Sequence, residues 1–466
     1  MPNNWKIYKL SELSELITKG TTPSTYGYKF TEQGVNYIKS DSTSYDGILD
    51  ESVFVKVSIE AHEKLKRSQL QEDDILFSIA GAYLGKSGVV RKSHLPANTN
   101  QANAIIRIDQ DKAQIKFISL ALRSPKLVHY VNASTGQSAQ PNLNLTDLGN
   151  LEFQIPPLPE QKGIANILST IDDKIENNLA TNKTLEDMAM ALYKHWFVDF
   201  EFPVSQETRN PELVSGSHQA STSKPKKRPH SIGYKSAGGE FIDSELGPIP
   251  KGWEVRKFNE FIEKIIDNRG KTPPLAKEKT NYLLLETYQL TRETLFPKDV
   301  VNKKAKYVTK EIYNSKKWFR KGHPQFKDIL FATVGNGIPN WSLMYENDGV
   351  GIAQNVVAIR PKNNISSSFL RYSFESKSFL QQFDGYVITT AQPSIKLSDL
   401  SMIDILMPKD KILNEWNDIV DGYVKQTYSN YKENKNLVLL RDTLLPKLIS
   451  GEMRLKEFQE QVENIV

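Results

Sequence analysis

Residues 140–148 (QPNLNLTDL) return later in the chain as residues 392–400 (QPSIKLSDL), at an offset of 392 − 140 = 252. Four further segments recur in the same order at nearly the same offset: residues 2–13 with 250–261, 20–23 (GTTP) with 270–273 (GKTP), 74–77 (DILF) with 328–331 (DILF), and Gln101 with Ile106-Arg107 against Gln354 with Ile359-Arg360. Small drifts in the offset are expected where surface loops gain or lose residues. A solenoid repeats every 20–50 residues or so. The much longer period here predicts a duplicated domain.

Composition limits the classes of protein that fit. The 466 residues include 60 Lys and Arg against 55 Asp and Glu, a net charge of +5, which permits a polyanionic partner without proving one. There is no cysteine, which excludes disulfides, thiol catalysis and cysteine-ligated zinc. The first residues lack the pattern of a signal peptide, and no apolar run approaches the roughly 18 residues of a membrane span. The sequence therefore predicts a cytoplasmic protein without a membrane anchor.

The pattern along the chain predicts five segments. Residues 1–158 are predicted to form a mixed α/β domain with short β-rich runs and a helix at 116–131. The domain ends at the proline-rich stretch 155–159. A long helix lies within 159–200, and the Ser-, Gly-, Lys- and Pro-rich residues 201–245 are predicted to be a flexible linker. Its basic run at 224–228 is interpreted as solvated linker, with phosphate contact as the alternative. Residues 246–408 repeat the first domain, and 409–455 hold a second long helix.

The first long helix has an apolar seam with steps of three and four residues, typical of a coiled coil. Its members are Ile164, Leu168, Ile171, Ile175, Asn178, Asn182, Leu185, Ala189, Leu192 and Trp196. At the repeat offset, Asn430 and Asn434 occupy the positions of Asn178 and Asn182. Antiparallel pairing places Asn178 near Asn434 and Asn182 near Asn430, where seam asparagines fix helix register at some cost in stability. The alternative is that these asparagines are solvated. The predicted fold class is α+β: two similar mixed α/β domains joined by two long antiparallel coiled-coil helices, with a pseudo-twofold internal repeat.

No catalytic constellation stands out. The seven histidines include no metal-spaced pair, and neither a phosphate loop nor a dinucleotide-binding glycine turn is present. The proline pairs at 156–157 and 273–274 lack the flanking residues of the amino-methyltransferase motif. The carboxylate clusters 72–74 and 172–173 are interpreted as solvated surface. The sequence predicts a binding scaffold with no catalytic residue, no metal and no cofactor of its own.

Several turn-rich segments interleave polar, aromatic and basic residues, the types that read base edges and hold phosphates. They recur beside the repeated motifs, yet the two copies differ most there, as expected of surfaces that read different targets. Taken singly, each could be an ordinary loop. The candidate DNA contacts are Lys19, Thr21, Thr22, Ser24, Tyr26, Ser42, Tyr45, Tyr83, Lys86, Asn100, Gln101 and Asn103 in the first copy, and Arg269, Lys271, Thr272, Tyr288, Gln289, Arg292, Asn336, Asn340, Trp341, Gln354 and Asn355 in the second.

These motifs together resemble the specificity subunit of type I restriction-modification systems. The resemblance rests on the Pro-x-x-Trp openings, the Gly-x-Thr-Pro loops, the two Asp-Ile-Leu-Phe runs, and residues 137–148 leading into IPPLPEQK at 155–162 and the long helix. It spans nearly the whole chain. The second copy departs from the pattern at 406–411 (LMPKDK), which lacks the Pro-Glu-Gln and blurs the predicted start of its helix.

The resemblance implies that each globular domain is a target recognition domain for one half of a split DNA sequence. It implies that the helices set the spacing and dock two modification subunits, joined by restriction subunits. S-adenosylmethionine, Mg²⁺ and ATP would then act on the partner subunits, and this chain would catalyse nothing. Two alternatives remain open at this stage: a stand-alone DNA methyltransferase with degenerate motifs, and an adaptor that does not bind DNA.

Overall fold

The computed structural model describes residues 4–81, 84–134, 141–204, 233–298, 305–335, 338–344, 349–388 and 391–457. The chain forms two compact units: one consists of Met1–Asn177 and Glu433–Val466, and the other of Asn178–Lys432. Each unit therefore combines a globular part with a portion of each of two long helices. None of the described helices is long and apolar enough to cross a membrane.

The described part of the first unit contains two four-stranded sheets, one two-stranded sheet and several short helices. Its elements are β1 (Lys6–Lys9), β2 (Ser14–Lys19), β3 (Phe30–Thr31), β4 (Val35–Ile38), β5 (Val55–Val57), α1 (Ile59–Lys64), β6 (Ile75–Ser78), β7 (Ser87–Val89), β8 (Ala97–Thr99), β9 (Asn103–Ile108), α2 (Ile115–Leu122), α3 (Pro125–Ser134), α4 (Leu145–Gly149) and β10 (Glu152–Ile155). Strands β2-β9-β6-β7 form an antiparallel sheet in that order. A second sheet, β3-β5-β4-β8, contains the parallel pair β4–β8, and β1 pairs with β10.

The central strand β6 is buried on both faces, which explains its uninterrupted apolar run. Ile75 and Phe77 point into the main core of the unit, whereas Leu76 points into a smaller core beneath the second sheet. Alternation of side chains along a strand produces this division. The sheet β2-β9-β6-β7 is thus the layer between two hydrophobic cores.

The second unit repeats the main sheet of the first and, with one strand fewer among its described residues, the second sheet. Its elements are β11 (Phe241–Ile242), β12 (Ile249–Pro250), β13 (Glu254–Lys257), β14 (Ile262–Asp267), β15 (Leu283–Leu285), β16 (Lys306–Tyr307), α6 (Lys310–Tyr313), β17 (Ile329–Ala332), β18 (Trp341–Leu343), β19 (Val350–Ile352), β20 (Val356–Pro361), α7 (Ser367–Ser373), α8 (Lys377–Tyr386), α9 (Leu397–Leu400) and β21 (Asp404–Met407). The order β14-β20-β17-β18 matches β2-β9-β6-β7, and β16-β15-β19 again contains one parallel pair. The internal repeat inferred from sequence is confirmed at the level of sheet topology.

A buried ion pair recurs at the same place in both units. Arg107 on β9 donates to Asp74 at the start of β6 at 2.8 and 2.9 Å, and Arg360 donates to Asp328 at 3.0 and 2.8 Å. Asp74 is fully buried. The interpretation of residues 72–74 as solvated surface is therefore wrong for Asp74, because its carboxylate is held inside the fold by a two-bond contact from arginine.

The long helices are α5 (Leu158–Tyr193), which continues as a π-helical turn at Lys194–Val198, and α10 (Asp410–Ser450). Within the first unit they pack antiparallel: Asp172 bonds Arg441 at 3.2 Å, and Lys174 lies 3.2 Å from Glu433. The residue numbers rise on α5 as they fall on α10, and Arg454, just past the end of α10, bonds Glu160 near the start of α5 at 2.9 Å. The antiparallel coiled coil predicted from the seam is confirmed there.

The second unit also pairs the two helices antiparallel, and it supports the predicted register. Asn430 donates to Asn182 at 2.8 Å, as antiparallel pairing requires. The pairing of Asn178 with Asn434 stays a prediction; in the first unit, Asn434 donates to the backbone oxygen of Ile175 at 3.3 Å. Asn178, counted with the second unit, is buried, which does not fit the solvated alternative.

Two local expectations need correction. The helix predicted at 116–131 is two helices, α2 and α3, because the chain turns at Arg123 and Ser124 before Pro125, a favoured first residue of a helix. The described ends of the predicted linker 201–245 are folded: Phe202 stacks between Tyr234 and Trp253, with ring centroids 4.7 and 4.9 Å away. Residues 205–232, with the basic run 224–228, lie outside the described residues.

Candidate nucleic-acid interface

The most strongly repeated motif fastens a loop at the end of the central strand. In the first unit, Leu143 N–H donates to the Ile79 carbonyl at 2.8 Å, and Gly81 N–H donates to Pro141 at 3.3 Å. The second unit has the same pair of bonds, from Ile395 to Thr333 at 3.0 Å and from Gly335 to Pro393 at 2.9 Å. The repeated motif therefore holds Gly81 and Gly335, the first residues of the divergent segments, in the same way in both units.

The first Gly-x-Thr-Pro loop packs against residues 98–103. Gly20 N–H donates to Asn103 at 3.2 Å, and Thr21 N–H donates to Thr99 at 3.0 Å. A Cβ on Gly20 would lie 2.2 Å from the carbonyl oxygens of Thr99 and Asn100, so only glycine fits this contact. The Thr22 hydroxyl bonds the Gln101 side chain. The structure thus brings together two sequence-predicted segments.

Basic side chains that were not among the sequence-based candidates lie beside this loop. Arg67 is exposed, and its Nη2 donates to the Thr21 hydroxyl at 3.1 Å. Lys64 and Lys66 on the same segment are also exposed. The Tyr37 hydroxyl donates to the Thr21 carbonyl at 3.0 Å, and burial holds the pKa of Tyr37 well above its usual value, so this donor stays protonated. Basic residues next to threonine and glutamine match the mixture of phosphate and base contacts at DNA surfaces.

A second candidate cluster in the first unit is built around Tyr45. Its hydroxyl donates to the Leu84 carbonyl at 3.2 Å, and the Lys86 ammonium lies 6.0 Å from its ring centroid. A cation over an aromatic face at this distance is weakly attracted to it. Tyr45 and Lys86 are both half-buried, so the pair is anchored while part of it faces solvent.

The second unit places its equivalent loop beside another basic segment. Arg269, Lys271 and Thr272 follow β14 and are exposed. Lys321 reaches the last residue of β14, Asp267, at 2.5 Å. The exposed cations Lys316, Lys317 and Arg320 precede Lys321 in the chain, after α6, just as Lys66 and Arg67 follow α1. The sequence could have indicated these two basic segments, because both lie shortly before an Asp-Ile-Leu-Phe run and so occupy equivalent places in the repeat.

The Arg292 guanidinium is held by contacts within the protein. Its guanidinium bonds Glu375, at 3.0 Å from Nε, and lies 4.9 Å from the ring centroid of Trp341. These contacts occupy the groups that would bind a base bidentately. Nearby Tyr288 remains exposed, and its pKa is raised, mainly by partial burial.

The candidate contacts divide by exposure into four groups. The exposed ones are Lys19, Ser24, Tyr26, Gln101, Arg269, Lys271, Thr272, Tyr288 and Gln354. The half-buried ones are Thr21, Thr22, Tyr45, Lys86, Asn100, Arg292, Asn340 and Asn355. Tyr83 and Asn336 lie outside the described residues.

Four candidates are buried: Ser42, Asn103, Gln289 and Trp341. As direct DNA contacts they do not agree with the structure, because a base edge cannot reach a side chain enclosed by protein. Asn103, for example, donates to the Thr99 hydroxyl at 3.0 Å and so supports the loop from inside. Gln289 fixes its own turn through the backbone N–H of Glu286 at 2.9 Å.

Among the described residues, no group of three or more His, Asp or Glu is arranged to hold a metal ion. The carboxylates that are buried have other partners. Asp172, interpreted from sequence as solvated surface, instead bonds Arg123 at 2.8 Å and Arg441 at 3.2 Å.

Comparison with known protein families gives a match over the first part of the chain. Residues 2–187 match the family described as the type I restriction modification DNA specificity domain. The MjaIX specificity subunit of Methanocaldococcus jannaschii, a type I restriction enzyme subunit, is 25% identical over 460 residues, covering 98% of this chain and 95% of that protein. The HindI specificity subunit of Haemophilus influenzae is 25% identical over 72% of this chain and 77% of its own length.

A shorter and more similar stretch occurs in the EcoBI specificity subunit of Escherichia coli, 30% identical over 38% of this chain and 37% of that protein. Among solved structures, the S subunit of a type I restriction-modification system from M. genitalium aligns over 96% of this chain and 97% of its own, with a TM-score of 0.50 and 16% identity. At that identity the match shows a shared fold.

Proposed function

This chain belongs to the family of type I restriction-modification specificity subunits, and from that premise we propose that it reads a split target in double-stranded DNA, one half with each unit. Recognition of DNA sequence is the role of this family, and the subunit is not catalytic. The division of the target between the units is the further step. The observation that carries it is the duplicated sheet plan with divergent, exposed polar loops on an otherwise repeated frame.

In each unit the proposed reading surface combines a Gly-x-Thr-Pro loop with a basic segment. Thr21, Thr22 and Gln101 are the base-reading candidates of the first unit, and Arg67 is the phosphate contact beside them. In the second unit Thr272 and Gln354 have the corresponding place in the repeat, with Lys316 and Arg320 as phosphate contacts. Cations on phosphates supply affinity, while hydroxyls and amides on base edges supply sequence preference.

The long helices are proposed to dock two modification subunits. Several large apolar side chains are exposed along the two helices, namely Leu179, Met188, Ile419, Leu439 and Leu440. Leu439 is 69% exposed. Exposed apolar residues that adjoin one another, on helices that already bury most of their seam, support a surface that binds another protein.

In this proposal, the catalytic reactions take place on the other subunits of the complex. S-adenosylmethionine and Mg²⁺ are proposed to act on the modification subunits, and ATP on restriction subunits. The cytoplasmic location predicted from sequence forms part of the proposal. The helices are proposed to set the distance between two half-sites in successive major grooves, roughly 34–36 Å apart.

The decisive experiment purifies the chain with its cognate modification subunit and methylates a library of random DNA. Sequencing of the methylated fragments is expected to give one asymmetric motif in two parts, separated by a gap of fixed length. A continuous motif would contradict the division between units. Absence of any selected motif would favour an adaptor, and binding of S-adenosylmethionine by this chain alone would favour a methyltransferase.

A further inference from the structure

In the first unit, the turn next to Tyr45 is tied to both long helices by a compact charge network. Arg441 on α10 contacts the carboxylates of Asp46 and Asp172, each at 3.2 Å. Arg123, at the end of α2, contacts Asp172 at 2.8 Å and also bonds the backbone carbonyl of Asp46. Asp172 thus bridges the two arginines, and both arginines hold Asp46.

The turn itself is shaped for this contact. Gly47 has φ +78°, and a Cβ there would lie 2.7 Å from the Arg123 side chain. The Ser44 hydroxyl closes the turn by donating to the Ile48 carbonyl at 3.0 Å. Tyr45 is the neighbour of Asp46, so the two arginines hold the backbone directly next to Tyr45. Arg441 is only 9% exposed, and in such surroundings the loss of one partner of an ion pair is costly.

The second unit anchors the equivalent segment by a different set of charges. Glu186 on α5 accepts a hydrogen bond from the backbone N–H of Leu295. Arg371 on α7 donates to the Arg292 carbonyl at 3.3 Å, and its guanidinium lies 3.9 Å from Glu375, which also holds the Arg292 side chain.

Packing against α10 completes this anchor. The Phe296 ring lies 5.8 Å from that of Tyr428 and 5.6 Å from that of Tyr431. The Lys298 N–H donates to the Gln289 carbonyl at 2.8 Å, so the anchored segment closes beside exposed Tyr288.

The two anchors share a place in the repeat but not their residues. The first segment follows β4 and the second follows β15, the strands that pair in parallel with β8 and β19. If the anchors only stabilised the fold, repeated residues like Asp74 and Asp328 would serve equally well in both units. Instead, each unit has its own network of different residues. The network ends next to half-buried Tyr45 in the first unit and next to exposed Tyr288 in the second.

We propose that these two networks are positioning devices, which transmit the placement of the helix pair to one reading segment in each unit and so determine how strictly that half of the target is read. Arg441, Asp172 and Asp46 serve the first unit, and Glu375, Arg371 and Glu186 serve the second. These are positioning residues, since they act through the backbone next to Tyr45 and Tyr288. The inference rests on the proposed function.

The test compares variants in the assembled complex with the modification subunit, on the random methylation library. Arg441→Met is expected to lower discrimination about tenfold at one or more positions of one half-site, on the scale of a single base contact, and to leave the other half unchanged. Glu375→Gln is expected to do the same to the opposite half. Arg441→Lys keeps the charge but not the forked geometry, and should recover part of the loss.

Lys174→Met is the matched control, because its ion pair with Glu433 joins the same helices in the same unit but is exposed. Asp46→Asn guards against a folding defect, since its side chain is 50% exposed and the exchange preserves its volume. Equal loss in both halves, or unchanged discrimination in Arg441→Met and Asp46→Asn, would overturn the inference. A wild-type complex that selects no motif would instead count against the proposed function.

Discussion

Asn430 donates from Nδ2 to Oδ1 of Asn182 at 2.8 Å, and so an amide pair joins the two long helices in the second unit. Gln426 donates in turn to Asn430 Oδ1 at 2.8 Å, and Asn430 is buried. An amide in a helix seam is satisfied only when it meets another polar group, and this requirement disfavours alternative registers.

The amide pair leads to the first prediction. Asn182→Leu should destabilise the protein by about 1–3 kcal/mol, because it leaves the Asn430 amide buried without its acceptor. The double variant with Asn430→Leu should recover most of that loss through apolar contact. Chemical unfolding of the two single variants and the double variant measures the coupling. Lys183→Ala, which removes an exposed ion pair with Asp187, should change little. Additive single effects would show that the two amides do not depend on each other.

The second prediction concerns Gly20. Gly20→Ala should cost about 1–3 kcal/mol, because its Cβ would meet the carbonyl oxygens of Thr99 and Asn100. The displaced loop carries Thr21 and Thr22, so discrimination at one half-site should fall as well. Gly422→Ala is the control, since that glycine lies in α10 with open space around it and should gain up to about 1 kcal/mol. A Gly20→Ala variant with normal stability would contradict the close approach.

The third prediction is a pH dependence. Burial raises the pKa of Glu186 to about 7, against the opposing charge of Arg371, with Lys183 and Asp187 also acting on it. The folded state therefore binds the proton more tightly than the unfolded state does. Its contribution to stability is largest below pH 4.5, declines as the pH rises to about 7, and is absent above that.

Glu186→Gln should flatten this decline and raise the melting temperature above pH 7, since Gln can still accept from Leu295. Glu176→Gln tests the opposite sign, because its hydrogen bond with Arg91 lowers the pKa of Glu176. That variant should lose a contribution present at neutral pH and weakened in acid. Thermal unfolding between pH 4 and 8 or so distinguishes the two, and identical profiles for Glu186→Gln and wild type would refute the assignment.

The fourth prediction tests the phosphate contact of Arg67. Arg67→Met in the assembled complex should weaken binding to all sequences alike and reduce the slope of log K against log salt by about 0.9. Lys112→Met is the control. Lys112 follows Ile108, which lies at one end of the β2–β9 pair, whereas Lys19 and the proposed reading loop lie at the other end. Titration of labelled DNA at several salt concentrations gives both slopes. A change of sequence preference without a change of slope would mean that Arg67 reads a base.

The fifth prediction concerns spacing. Adding one heptad to α5 near Ala180 and one to the facing part of α10 keeps the seam in phase and lengthens the pair by roughly 10 Å. The unread gap should then grow by about 3 base pairs, at 3.4 Å each. Methylation mapping measures the gap. A heptad added to α5 alone disrupts the seam pairing and serves as the control, whereas an unchanged gap in the matched variant would count against the helices as a ruler.

Sequence periodicity was enough to predict the duplicated domain and the helix pairing, for physical reasons. The offset between Asp74 and Asp328 identified two copies of one strand, since both must place a carboxylate opposite an arginine on the neighbouring strand. The seam from Ile164 to Trp196 predicted a coiled coil, because a step of three and four residues keeps side chains on one face of a helix. The asparagines at the repeat offset then predicted the Asn182–Asn430 contact.

The tertiary structure alone decided which polar residues are available to a ligand. Asn103 and Gln101 are two residues apart and chemically alike, yet one is buried beneath a loop and the other exposed beside it. Arg67 lies 46 residues from Thr21 in sequence and reaches its hydroxyl, and Asp46 meets Arg441 across 395 residues. Local patterns report which face of a strand or helix is apolar. They carry no information on which distant side chains share a site, because chain folding brings those groups together.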